Sequence, residues 1–307
     1  MYHWRIWGLS FLLFATTLPA GDAAFTSVSI QYLTPVVVLD GSESPSGAFQ
    51  QAAAIDVDAD GNMYIIDRGN NRLLKYENDT FVREVGGFGN QGDQLDDPLD
   101  VDASATLSVL VADYNNERIV HFDRNLNFVA AYPGEVGDGN IIFQRVRSVA
   151  FSSQYDIFLL DDDIRQVVKL NRFGQPSLYF GGPEEAYGQL LNPVQLTVGN
   201  DQVFVSDPGQ KAVIVYDYLG NFVTVFQIEG LVPGSLDWGM NGFLYIVNQQ
   251  NNHIVVLDAA LRLVQDLVVR EYKEVIVDIA IWPEGEQGKG WLYILYENRC
   301  IKVAIKN

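Results

Sequence analysis

The chain has 307 residues, with 39 acidic against 20 basic side chains, a formal charge of −19, 48% apolar residues, 27 Gly, 15 Tyr, 17 Phe and one Cys. Apolar content this high excludes an acidic disordered tail, and the charge argues against nucleic acid or an anionic membrane as partner, since both repel the chain at long range. The lone Cys300 excludes an internal disulfide and any multi-cysteine metal site.

Residues 1–23 read as a secretory signal peptide. His3 and Arg5 precede the apolar stretch Ile6–Ala15, and small residues follow at Ala20, Gly21, Ala23 and Ala24. The stretch is shorter than the ~20 residues a membrane span needs, and no later segment is longer. The expected mature chain, 24–307, is therefore secreted or periplasmic and monomeric, without membrane insertion.

The body repeats one unit six times. An apolar strand ending in a polar residue recurs as Met63–Asp67, Val109–Asp113, Ile157–Asp161, Val203–Asp207, Leu244–Asn248 and Leu292–Tyr296, with successive ends 46, 48, 46, 41 and 48 residues apart. In the first unit, Ile55–Asp58, Met63–Ile66, Leu73–Tyr76 and Phe81–Val85 read as four strands, separated by turns at Asp60-Gly61 and Asn70-Asn71. Helical periodicity is absent. The fold class is all-β, a six-bladed β-propeller of four-stranded blades. Blade 6 offers only three strands, the third at Lys302–Ile305, while Pro35–Leu39 precedes blade 1. This N-terminal strand is expected to close the last blade as its outer strand and so remove an open seam.

The run Ile55–Tyr76, with Asp113-Tyr-Asn-Asn-Glu-Arg-Ile119 and Asn248-Gln-Gln-Asn-Asn-His-Ile254, resembles NHL repeats of the exported, bacterial type. The resemblance covers roughly residues 30–307, is closest in blades 1, 2 and 5, and implies the propeller fold more strongly than any one activity. It places Arg72 and Arg118 opposite Asp67 and Asp113, with His253 at the equivalent position of blade 5. The peptide-amidating lyases, which share this propeller type, hold zinc with three His; residues 24–307 contain two, His121 and His253, so structural roles are expected.

Asp56, Asp58, Asp60, Gly61 and Asp67 match the spacing of an EF-hand calcium loop, but the flanks alternate as strands and the unit pattern explains the same residues as a hairpin turn. More specific is the innermost strand, where the family usually places a small residue and this chain places Asp56, Asp102 and Asp237; two residues earlier stand Ala54, Asp100, Ser148, Gln195, Ser235 and Asp278. Alternation on an innermost strand turns such side chains toward the central channel. Two arrangements are open: carboxylates bonded to backbone N–H groups, or an axial ion such as the calcium of lactonase-like propellers. Arg145 and Arg147 enter blade 3 near the same face, and Asn78-Asp-Thr80 forms a glycosylation sequon.

The expected function is a binding, sensing or scaffold module whose one face takes a protein, peptide or glycan through Asp100, Arg147, Gln195 and Asp278. No cofactor belongs to that reading. The alternative is a calcium-dependent hydrolase or lactonase with the metal on Asp56, Asp102 and Asp237.

Overall fold

The computed structural model describes residues 30–137, 139–284 and 289–306; the signal-peptide reading of 1–23 lies outside them. Among the described residues six large sheets succeed one another along the chain, five of them four-stranded and antiparallel and one five-stranded with a single parallel pair, beside a two-stranded ribbon of Glu135–Val136 and Asn140–Ile141. The six form the blades of the β-propeller. The innermost strands are Ala52–Val57, Pro98–Asp102, Val146–Phe151, Gln195–Gly199, Pro233–Trp238 and Asp278–Glu284.

The second strand of each blade is buried on both faces, which is why it reads as a continuous apolar run and not as an alternation. In Met63–Asp67, Met63 and Ile65 pack toward blade 6, whereas Tyr64 and Ile66 pack toward blade 2. The core is accordingly divided into six clusters, one in each space between neighbouring blades. Burial of this kind contributes about 25 cal/mol per Å² of apolar surface and makes each blade depend on both neighbours.

The residue ending each second strand has a constant task. Asp67, Asp113, Asp161 and Asp207 are each fully buried and accept the backbone N–H of Gln50, Asp96, Gln144 and Leu191 at 2.7, 2.7, 2.9 and 2.6 Å, in the loop that leads into the same blade. Asn248 does the same for Val232 at 3.1 Å. In blades 1 and 2 an arginine of the third strand neutralises the acid, through Arg72–Asp67 at 2.8 Å and Arg118–Asp113 at 2.7 Å, as the repeat pattern predicts.

Pro35–Leu39 pairs antiparallel with Arg299–Lys306 and completes blade 6, which closes the ring. An additional strand, Ile30–Leu33, lies parallel to Leu263–Val269 and gives blade 5 its fifth strand. Nothing in the repeat anticipates it, because it lies outside the periodic body. The Pro283–Gly290 insertion falls where the first two strands of blade 6 extend to Glu284 and resume at Lys289.

Candidate functional site

An innermost strand has no partner on its channel side, so the N–H groups there need acceptors. The polar residues singled out in the sequence supply them, and they do so across the gap to the next blade. At the channel mouth, Asp278 accepts the N–H of Ile55 at 2.9 Å, Asp100 that of Val149 at 2.9 Å, Ser148 that of Leu196 at 3.0 Å and Gln195 that of Leu236 at 2.9 Å. One tier deeper, Asp56 accepts the N–H of Ala103 at 2.6 Å and Asp237 that of Ile281 at 2.9 Å, while Asp102 accepts from Ser104 of its own blade at 3.1 Å. The mouth tier lacks bonds from blade 1 to 2 and from blade 5 to 6, where Ala54 and Ser235 stand. Asp56 and Asp237 make those two bonds in the deeper tier. Every junction of the ring is thus tied by at least one such bond.

Asp278, Asp100 and Asp102 are held out of water, whereas Asp56 and Asp237 are partly exposed. Asp278 is 2% exposed, Asp100 5% and Asp102 8%. Burial pushes Asp278 up to about 8, with the neighbouring Asp100 charge adding to it, and pushes Asp100 up to about 6 and Asp56 to about 7. Asp102 and Asp237 are also raised well above the usual range, by burial first and then by the charge of Asp56.

Both oxygens of Asp56 already accept backbone N–H groups, from Val57 at 2.7 Å and from Ala103. Among the described residues no group of three or more His, Cys, Asp or Glu side chains is arranged to hold a metal ion. The axial acids Asp56 and Asp237 thus show the first of the two arrangements open in the sequence, carboxylates bonded to backbone N–H groups. The EF-like spacing is likewise a turn: Asp58 accepts the N–H of Asp60 and Asn62 at 3.0 and 2.9 Å, Asp60 pairs with Arg124 of blade 2 at 2.6 Å, and Asp67 caps the loop into its own blade.

Above the axial ties the mouth opens into a cavity of about 510 Å³, and Asp100, Arg147, Gln195 and Asp278 all line it. Gln195 spans the mouth, donating to Asp278 at 3.2 Å while holding Leu236. Arg147 reaches Val194 O at 3.1 Å and Asp162 at 3.4 Å. Arg145 does not join them; it pairs with Asp163 and lies over the Tyr114 ring. The lining also includes Arg68, Gln249 and Glu297, which sequence reasoning missed because they lie beyond the innermost strand. A second cavity, about 400 Å³, involves Ser153, Tyr155, Asn200, Asp201 and Tyr218 from turns between strands.

The histidines are structural. His121 stacks on Tyr132 with centroids 6.2 Å apart, and burial lowers its basicity. His253 bonds Asp266 of the outer strand at 3.0 Å, because its blade has Asn248 where blades 1 and 2 have Asp.

No protein-family model matches the chain. Protein brain tumor of Drosophila melanogaster is 29% identical over 146 residues, which are 47% of this chain and only 14% of that protein. Virginiamycin B lyase from Staphylococcus aureus superposes with a TM-score of 0.63 at 12% identity, covering 88% of this chain and 98% of the lyase. A streptogramin B lyase gives 0.64 at 11% identity with the same coverage. A chain of the nidogen/laminin complex gives 0.58 at 13% identity, over 72% of this chain and 81% of that one. At such identities the superpositions carry the propeller fold and nothing finer.

Proposed function

We propose that the chain is an exported, monomeric NHL-repeat propeller that acts as a binding, sensing or scaffold module, taking a protein, peptide or glycan on the face that holds Asp100, Arg147, Gln195 and Asp278. The observation that carries this reading is the convergence of all four on one cavity of about 510 Å³, within the size range of ligand sites. The rigid ring beneath supplies the preorganisation, and the loops around the mouth supply variability. The nidogen/laminin complex accords with a binding role for a propeller chain, at a distance.

The test is to screen the purified protein on peptide and glycan arrays and repeat the screen with Arg147→Ala and Gln249→Ala. Arg147 adds only a bond to Val194 O at a junction that Ser148 already ties, and Gln249 lies outside the innermost strands, so both variants should fold. Loss of the array signal in both supports the face; unchanged signal overturns it. A calcium-dependent hydrolase or lactonase predicts a different result: stabilisation by ~2.7 kcal/mol at a hundred times the calcium dissociation constant, abolished by Asp102→Ala. An unchanged melting temperature with calcium and with chelator removes that alternative.

A further inference from the structure

The second cavity lies on the face opposite the channel mouth. The innermost strand of blade 2 carries Asp100 at the mouth and ends in a turn on the other face, where residues 104–106 follow. The corresponding turns of blades 2, 3 and 4, together with Tyr218, border about 400 Å³, within the roughly 300–1,000 Å³ of small-molecule sites. Elsewhere on this face tryptophans cover such turns. Trp238 of blade 5 stacks on Phe204 with centroids 5.2 Å apart and lies over Gly199, where an added Cβ would fall 2.1 Å from its ring. Trp282 of blade 6 lies over Gly61 in the same way. No tryptophan stands in the lining beside the blade 3 turn, and the space there stays open.

The blade 3 turn also holds a residue that its geometry disfavours. In the matching turns of blades 1 and 5, the N–H of Gly61 bonds Asp58 O and that of Gly242 bonds Gly239 O, with φ of +83° and +81°. Blade 3 closes the same turn from the N–H of Tyr155 to Ser152 O at 3.0 Å, and Tyr155 takes φ +63°. A bulky side chain is strained in that left-handed region. Where leucine accepts such strain, burial offsets it. Leu126 and Leu261 take φ +61° and +58° in outer turns, but Leu126 is 1% exposed and Leu261 packs on the core between blades 4 and 5. Tyr155 is 51% exposed and meets the Phe151 ring with centroids 6.4 Å apart. Glycine would serve this turn better, so the use of the ring lies in the cavity that it lines.

The rest of the lining sets the kind of ligand. Asn200 and Asp201 stand exposed at the tip of the blade 4 hairpin, and no lysine or arginine joins them. Lys169, which bonds Tyr218 O at 3.1 Å, is paired with Asp156 at 2.8 Å. An anion would meet Asp201 with no cation beside it. A wholly apolar ligand would strip water from the amide and the carboxylate and replace none of its bonds. We propose that this cavity is a subsite for a neutral pyranose, one hexose unit of a glycan, stacked on the Tyr155 ring with its hydroxyls bonded by Asn200 and Asp201. The C–H face of a pyranose presents weakly positive hydrogens to the negative face of an aromatic ring. Its vicinal hydroxyls donate to a carboxylate and both donate to and accept from an amide. The site lies apart from the channel mouth and does not depend on the reading of that face.

Saturation-transfer NMR on the purified protein tests this, with methyl β-glucoside, methyl β-galactoside, methyl α-mannoside and methyl β-glucuronide as probes. At least one neutral glycoside should receive transfer, strongest at its ring C–H protons. The glucuronide should bind about fivefold more weakly than that glycoside, the effect of one like charge beside Asp201 in water. Tyr155→Gly should abolish the transfer without lowering the melting temperature, since glycine suits the positive φ, and Tyr155→Phe should keep it. Asn200→Gly also preserves a positive φ and should weaken binding about fivefold, the value of one hydrogen bond. Arg147→Ala should change nothing. Absence of transfer to all three neutral glycosides overturns the subsite, as does unchanged transfer in either glycine variant. A glucuronide that binds as well as the neutral sugars overturns the ligand class. Loss of transfer in Arg147→Ala also overturns it and moves the sugar to the opposite face. The array screen judges that other face through Arg147 and Gln249, so each reading can fail alone.

Discussion

Replacing Asp278 by Asn tests whether the axial carboxyls are buried as neutral groups. In the folded chain burial and Asp100 raise Asp278 to about 8 from an ordinary 3.8. A raised folded value means the contribution to stability is complete below 3.8, where both states hold the proton, and is lost as pH rises toward 8. Between pH 5 and pH 7 the unfolded chain has released this proton and the folded chain still holds it. The slope then approaches one proton, ~1.4 kcal/mol per pH unit, or about 2.7 kcal/mol over the interval. Asn keeps an acceptor for the N–H of Ile55 and cannot titrate. It loses the Gln195 contact, a cost of ~1 kcal/mol that does not vary with pH. Urea unfolding followed by tryptophan fluorescence at pH 5, 6 and 7 should therefore show the wild type losing ~2.7 kcal/mol more than Asp278→Asn. Asp100 and Asp56, raised to about 6 and 7, add to the wild-type slope, and taking the difference isolates Asp278. Equal slopes in the two proteins, with equal m-values, would refute the reasoning.

Other substitutions probe the ring directly. Arg72→Ala strands the fully buried Asp67 without its guanidinium and should cost ~3–5 kcal/mol; a loss below ~1 kcal/mol in thermal unfolding would show that the acid takes up a proton or finds water. Leu39 is 8% exposed and packs with Cys300 and blade 1, so Leu39→Ala should cost ~2 kcal/mol or more, a value that calorimetry can place against the same change on an exposed strand. The blade 5 to 6 junction is tied by Asp237, whereas Asp102 bonds Ser104 of its own blade and the blade 2 to 3 junction keeps its tie from Asp100. Asp237→Ala should therefore destabilise more than Asp102→Ala by ~1 kcal/mol in paired denaturation curves, and the reverse order would show that the ties do not act junction by junction.

The sequence made the architecture legible because the repeat writes the same physics six times. A second strand pressed between two blades must be apolar throughout, and its last residue must accept an N–H from the loop ahead; Asp67, Asp113, Asp161 and Asp207 state both requirements openly. The closing strand was legible for the same reason, since Pro35–Leu39 supplies what blade 6 lacks. The parallel strand Ile30–Leu33 was not, because a single added edge has no period. Nor could spacing decide what the axial acids do. An aspartate facing an ion and one facing the next blade's N–H occupy the same position of the same strand, and only three-dimensional register separates them.

That register also explains why the acids are distributed unevenly between the tiers. A tie needs a side chain long enough to cross to the next blade, and Ala54 at the mouth of blade 1 cannot reach. The bond moves one tier down, to Asp56. Blade 5 makes the same displacement with Asp237, although Ser235 is polar and stands where its counterpart in blade 3, Ser148, does bond the next blade. With Asp237 tying that junction in the deeper tier, the buried Ser235 hydroxyl is left without a hydrogen-bond partner among the described residues. The ring is thus closed by whichever tier supplies a side chain that reaches the next blade, and a tie missing at the mouth is recovered one tier down.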